Sequence, residues 1–116
     1  MHFGKFQFGS IMIDGVSYSH DVVIDRGKVL KRKKKPSKGF REQFGQTPVS
    51  IEEKLPWKCR RLVIGTGRYG SLPVMDEVKR EASQRKIDLV TVPTDEAIEL
   101  LGRNPKDTNA LLHVTC

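Results

Sequence analysis

Leu62-Val63-Ile64-Gly65-Thr66-Gly67-Arg68-Tyr69-Gly70-Ser71-Leu72-Pro73-Val74 is the stretch on which the fold turns. Three apolar residues run into a loop with three glycines, and a helical pattern opens a few residues later. A strand that leads through a glycine loop into a helix marks the place where open α/β sheets keep a ligand crevice.

Downstream, Val74, Val78 and Ala82 recur every four residues, and Asp76–Arg80 and Glu81–Arg85 are charge pairs at the same spacing. The spacing predicts a helix over 74–86, with Pro73 in its first turn and acids where the helix dipole favours them. Ile87-Asp88-Leu89-Val90-Thr91-Val92 reads as a strand. Thr94 is placed to cap a helix over 95–102, with Ala97, Ile98 and Leu101 as its buried stripe and Gly102 and Asn104-Pro105 to close it. Ala110 to Thr115 is apolar on both faces, as a central strand should be. Residues 61–116 are therefore a β-α-β-α-β half, and right-handed crossovers make its strands parallel.

Upstream, residues 1–60 read as an antiparallel β-meander followed by a basic and irregular loop. Phe6 to Ile13 is a strand, Asp14-Gly15 a two-residue hairpin turn, and Val16 to Ser19 the return strand. Asp21 to Ile24 is another strand, turning at Asp25-Arg26-Gly27-Lys28 into Val29-Leu30. The five basic residues that follow mark that last strand as an edge. Pro36 to Pro48 shows no period, with Phe40 and Phe44 pinning it to the body. Ser50 and Glu53 fit a capping box for a short helical turn at 51–55, cut off by Pro56, and Trp57 anchors the segment. The whole 1–116 chain is expected to be a single mixed, layered α/β domain.

Composition narrows the function classes. The chain is 37% hydrophobic and 30% charged, with a formal net charge of +7. No apolar run approaches the ~18 residues of a membrane span, and the start of the chain lacks the apolar core of a secretory signal. A cytoplasmic location with no membrane association is the expectation. Cys59 and Cys116 are too few for a disulfide framework, and the histidines show no zinc-site spacing, so no metal and no cofactor is expected.

Gly65-Thr66-Gly67-Arg68-Tyr69-Gly70 is a literal G-x-G-x-x-G between a strand and a helix. The helix stripe starts too late for a dinucleotide fingerprint, and Asp88 stands at the beginning of the second strand instead of its end. Two readings remain: a loop whose amides and Arg68 hold a small anion, or a tight turn that needs positive φ. His20, Asp21, His113 and Cys116 make a nucleophile–base–acid set on paper only, since nothing in the sequence fixes their geometry. The reading leans away from an enzyme.

The basic excess is uneven. Residues 1–60 hold 13 Lys/Arg against 6 Asp/Glu, whereas residues 61–116 hold 8 of each. Lys31, Arg32, Lys33, Lys34 and Lys35 form the candidate interaction surface, suited to an acidic protein. Nucleic acid, with Phe40 and Phe44 as stacking groups, is the less favoured partner because a neutral second half leaves one positive strip.

Phe8 to Tyr18, Asp21 to Ile24, Leu62 to Gly67, Pro93-Thr94 with Ala97, and Leu112-His113-Val114-Thr115-Cys116 occur in that order. Together they resemble the small Mth-type domain-of-unknown-function family. That family is shared by archaeal and bacterial hypothetical proteins, an animal adipogenesis-associated protein and a mitochondrial complex I assembly factor. The resemblance implies a three-layer α/β fold with a mixed sheet. It supplies no catalytic residues and points to protein–protein or assembly-type work.

Overall fold

The computed structural model describes residues 1–116. The chain begins with two short hairpin strands, β1 (Phe3–Gln7) and β2 (Ser10–Ile13), followed by β3 (Val16–Tyr18). The expected single strand from Phe6 to Ile13 is instead two strands. Gly9 takes φ +93°, and the chain reverses at Phe8–Gly9 so that Gln7 pairs with Ser10. Asp14 and Gly15 are both at positive φ, the geometry a tight two-residue hairpin needs. The three strands form one small antiparallel sheet, in the order β1-β2-β3.

The second sheet has five strands and mixed direction, in the order β5-β4-β8-β6-β7. Here β4 is Val22–Asp25, β5 Lys28–Lys31, β6 Arg61–Gly65, β7 Asp88–Val92 and β8 Thr108–Leu112. β6, β7 and β8 are parallel, and β8 is flanked by β6 and by antiparallel β4, with Ala110 opposite both Val63 and Ile24. This explains the all-apolar run of Ala110 to Leu112: each face of a central strand is covered. β5 is an edge, as its lysines imply.

Two apolar clusters sandwich this sheet. Ile11 and Ile13 of the small sheet and Ala97 and Leu101 of α3 (Thr94–Arg103) pack on Val22, Ile24, Val63, Ala110 and Leu112. On the other face, Val78 and Ala82 of α2 (Asp76–Gln84) join Val49 and Leu55 over Val23, Leu62, Ile64 and Leu111. The architecture is a three-layer α/β domain with a mixed central sheet.

Some local expectations change. The α2 helix starts at Asp76 and not at 74, because Val74 forms a parallel bridge to Val49. Val49 N–H donates to Pro73 O at 2.9 Å and Met75 N–H to Val49 O at 3.0 Å, holding 73–75 out of the helix. Thr94 is not the cap of the second helix. Pro93 takes that position, Thr94 is already helical, and its hydroxyl bonds elsewhere. Gly102 lies inside α3, which runs on to Arg103. The irregular 36–48 stretch contains a 3-10 helix (Lys35–Phe40) and one turn of helix, α1 (Arg41–Phe44), ended by Gly45 at φ +79°. Ser50 to Glu53 forms only turns: Glu53 reaches the Ser50 amide at 3.4 Å, but no helix follows.

Candidate functional site

The glycine loop leaves β6 at the pole where the parallel strands end. Its backbone amides are all engaged. Thr66 donates to Val92 O (2.8 Å), Arg68 to Thr115 O (2.7 Å), and Tyr69 and Ser71 to Cys116 O (3.4 and 3.0 Å). Gly67 N–H donates to Thr94 Oγ1 at 2.9 Å, and Gly70 N–H to Gly67 O at 3.3 Å. The cradle thus holds the chain's own residues Thr115 and Cys116. Gly67 has φ +102°, and a Cβ there would stand 2.3 Å from the Cys116 carbonyl carbon. Arg68 reaches out to Asp95 at 3.0 Å across the surface, and Tyr69 is 74% exposed. Thr94 Oγ1 donates in turn to His113 O at 2.7 Å. One hydroxyl therefore joins the loop, α3 and the segment after β8.

Beside this loop lies a buried ionic network that sequence reasoning missed. Arg32, placed with the exposed basic run, is buried and takes no part in that surface. It extends the β4–β5 ladder through its amide to Asp21 O (2.9 Å), and its side chain turns under the 48–53 segment. Its Nε and Nη2 donate to Glu53 Oε1 and Oε2, each at 2.8 Å. Nη1 donates to Asp21 Oδ2 (2.9 Å), and Nη2 also to Pro48 O (2.9 Å). Ser37 Oγ donates to Glu53 Oε2 at 2.6 Å and lies 2.6 Å from Ser50 Oγ.

Asp21 also faces His113, whose Nδ1 is 2.8 Å from Oδ2 and 3.0 Å from Oδ1, and accepts the Val114 amide at 3.0 Å. Burial by itself would raise the Asp21 carboxyl. The His113 hydrogen bond and charge, the Val114 amide and Arg32 outweigh it and hold the carboxyl at about 2. Burial would likewise lower Arg32, but Glu53 and Asp21 raise it above the ordinary arginine value. His113 Nε2 is 3.0 Å from Thr115 Oγ1, so both ring nitrogens are satisfied in a side chain 8% exposed. Of the paper set His20, Asp21, His113 and Cys116, only Asp21 and His113 meet by their side chains. His20 Nδ1 turns to the Asp21 carbonyl, and Cys116 Sγ to Gln46 Oε1 at 3.4 Å. This is the bonding of a structural histidine that ties the segment after β8 to β4.

Lys31, Lys33, Lys34 and Lys35 are exposed. Lys31 and Lys33 stand with Lys54 around a groove of about 320 Å³ whose apolar lining is Val23, Leu30 and Leu55, with Pro56. The groove exists because the 48–57 cover that buries Arg32 runs out at the sheet edge. Leu30, on the outer strand β5, is left 44% exposed.

A family model described as a protein of unknown function (DUF498/DUF598) matches residues 3–101. The chain is 28% identical to a conserved hypothetical protein from Pyrococcus horikoshii OT3, covering 100% of both chains with a TM-score of 0.82. It is 25% identical to the solved structure MT938, over 98% of this chain and 97% of that one, with a TM-score of 0.70. An Mth938-like domain of Bordetella pertussis shares the fold at 17% identity, over 97% of this chain and 84% of that one, with a TM-score of 0.63. No curated protein matches the chain.

Proposed function

The chain belongs to the DUF498/DUF598 family of proteins of unknown function, and from the surface just described we propose that it is a protein-interaction module receiving an extended acidic segment along β5. The observation that carries this reading is the open outer side of β5 next to a lysine-rimmed apolar groove. An edge strand presents a row of unpaired backbone groups to which a partner strand can add. Lys28 and Lys31 repel a second copy of the same strand and attract carboxylates. Leu30 and the Leu55–Pro56 wall offer an anchor for alternate apolar side chains of the guest.

The glycine loop supports this assignment less well, because its amides already serve residues 115 and 116. An assembly role is one form such a module takes, and two free thiols, Cys59 and Cys116, suit a reducing cytoplasm.

Titration of the labelled protein with an extended peptide alternating Glu and Val tests the proposal. Amide shifts confined to β5 and to Lys54 and Leu55, weakened by salt and lost in Lys31→Glu/Lys33→Glu, are the expected result. Shifts centred on the glycine loop, or equal binding by the double variant, would refute it.

A further inference from the structure

The zero charge balance of residues 61–116 conceals a separation of charge. Both crossover helices begin with acids, Asp76 and Glu77 in α2 and Asp95 and Glu96 in α3. Arg85 caps the end of α2, and Arg103 lies in the last turn of α3. Parallel strands place both helix ends at one pole, where β6, β7 and β8 start. Antiparallel β4 finishes at that same pole, so the β4–β5 turn brings in Arg26.

Two adjoining hollows open there. One, about 360 Å³, is lined by Arg26, Lys58 and Arg60; the other, about 380 Å³, by Arg60, Arg61 and Lys106. They share Arg60, Asp107 and Thr108. Asp88 and Asp107 are the acids in their walls, against five cations. Arg26, Lys58, Arg60 and Lys106 are exposed. Arg26 pairs with its neighbour Asp25 at 2.9 Å, whereas no ion pair holds Lys58, Arg60, Arg61 or Lys106. Arg61 Nη2 donates to Asn104 O, while its Nε is the one buried side-chain nitrogen or oxygen with no hydrogen-bond partner.

We infer that this pole docks the sugar–phosphate backbone of a nucleic-acid strand. Cys59 and Pro105 are the only apolar side chains lining the first hollow, and the second has none. A small organic ligand is ordinarily enclosed by apolar walls, which these hollows lack. Successive phosphates, by contrast, need a series of unpaired cations at the surface, with arginine offering a forked donor to each. The cations come from three separate segments, the β4–β5 turn (Arg26), the 58–61 stretch that enters β6 and the loop before β8 (Lys106), and the sheet brings them to one pole. It is distinct from the Lys31–Lys35 strip, and binding here reads the backbone without base contacts.

Fluorescence anisotropy with an oligouridine strand of about a dozen nucleotides, followed across sodium chloride from about 50 to 300 mM, tests the inference. Neutralising about four phosphates of a single strand predicts a log–log salt slope of about −3. Arg60→Glu/Lys106→Glu, checked for an unchanged thermal transition, should weaken binding at least about tenfold and flatten the slope by about one unit or more. Lys31→Glu/Lys33→Glu should bind as the parent does. Absence of binding near 50 mM salt, or full binding by the pole variant, overturns the inference. So does loss caused by the Lys31/Lys33 variant alone. Displacement by inorganic pyrophosphate at concentrations equal in phosphate to the strand would also overturn it, by assigning the hollows to a small phosphate.

Discussion

Arg32 grips Glu53 with both edges of its guanidinium, Nε on Oε1 and Nη2 on Oε2, each at 2.8 Å. The arginine leaves β5, and the glutamate comes from a turn 21 residues further on, so the pair locks the 48–53 cover onto the sheet. Removing Arg32 strands Asp21 and Glu53 as buried carboxylates. Arg32→Ala should lose about 3–5 kcal/mol, as broken buried ion pairs do. Lys33→Ala, one residue on and exposed, should stay within about 0.5 kcal/mol. Urea unfolding of the two variants decides: equal midpoints would mean that the network contributes nothing specific.

Acid should loosen the same region. The Asp21 carboxyl is at about 2 in the folded protein against an ordinary 3.8, so its contribution is complete above pH 3.8 and disappears as pH falls toward 2. The shift is worth about 2 kcal/mol. Asp21→Asn should remove that part of the pH dependence, seen as a flatter stability profile between pH 4 and 2 in chemical denaturation.

Gly67 should accept no side chain. Its φ of +102° disfavours any L-residue, and a Cβ would collide with the Cys116 carbonyl carbon at 2.3 Å and Thr115 O at 2.7 Å. Gly67→Ala is expected to expel the 115–116 segment and to cost at least about 2 kcal/mol. Hydrogen exchange at the Arg68 and Ser71 amides reports the loss directly. Gly102, whose Cβ would meet open space, should accept alanine with a gain of a few tenths to about 1 kcal/mol.

Thr94 provides a hydroxyl rather than a cap. Thr94→Ser retains the donor to His113 O and the acceptor for Gly67 N–H. Thr94→Val retains the shape and leaves two buried polar groups unpaired, a cost of about 1–3 kcal/mol each. Thermal melts should rank valine well below serine; the reverse order would mean that the methyl group is what matters.

Local periodicity carried much of the fold. The four-residue stripe Val78–Ala82, the Ala97–Leu101 stripe, the Asp14-Gly15 turn and the doubly apolar Ala110–Leu112 strand each state their environment in adjacent residues. The errors arose where a distant partner overrides the local pattern. Val49 pulls Val74 out of the helix, and His113 takes the Thr94 hydroxyl that a cap would have used. Arg32 was illegible because its neighbours are lysines on either side and its partners are 11 and 21 residues away. The basic pole was hidden differently: Arg26, Lys58 and Arg60 are counted in the basic excess of residues 1–60 beside Lys31–Lys35, while Arg61 and Lys106 vanish in the zero balance of residues 61–116.

β8 is the last strand along the chain and the middle one of five. Arg26 and Asn109, joined by a 2.8 Å bond, are separated by 83 residues. At translation rates of about 5–20 residues per second, that span takes about 4–17 s to make. Throughout that interval β4, and from residue 65 onward β6 as well, lacks the neighbour the two share and shows a bare ladder edge. The newborn chain, rather than the finished fold, is therefore the form most exposed to strand pairing with another copy, and where a chaperone would have a strand to hold.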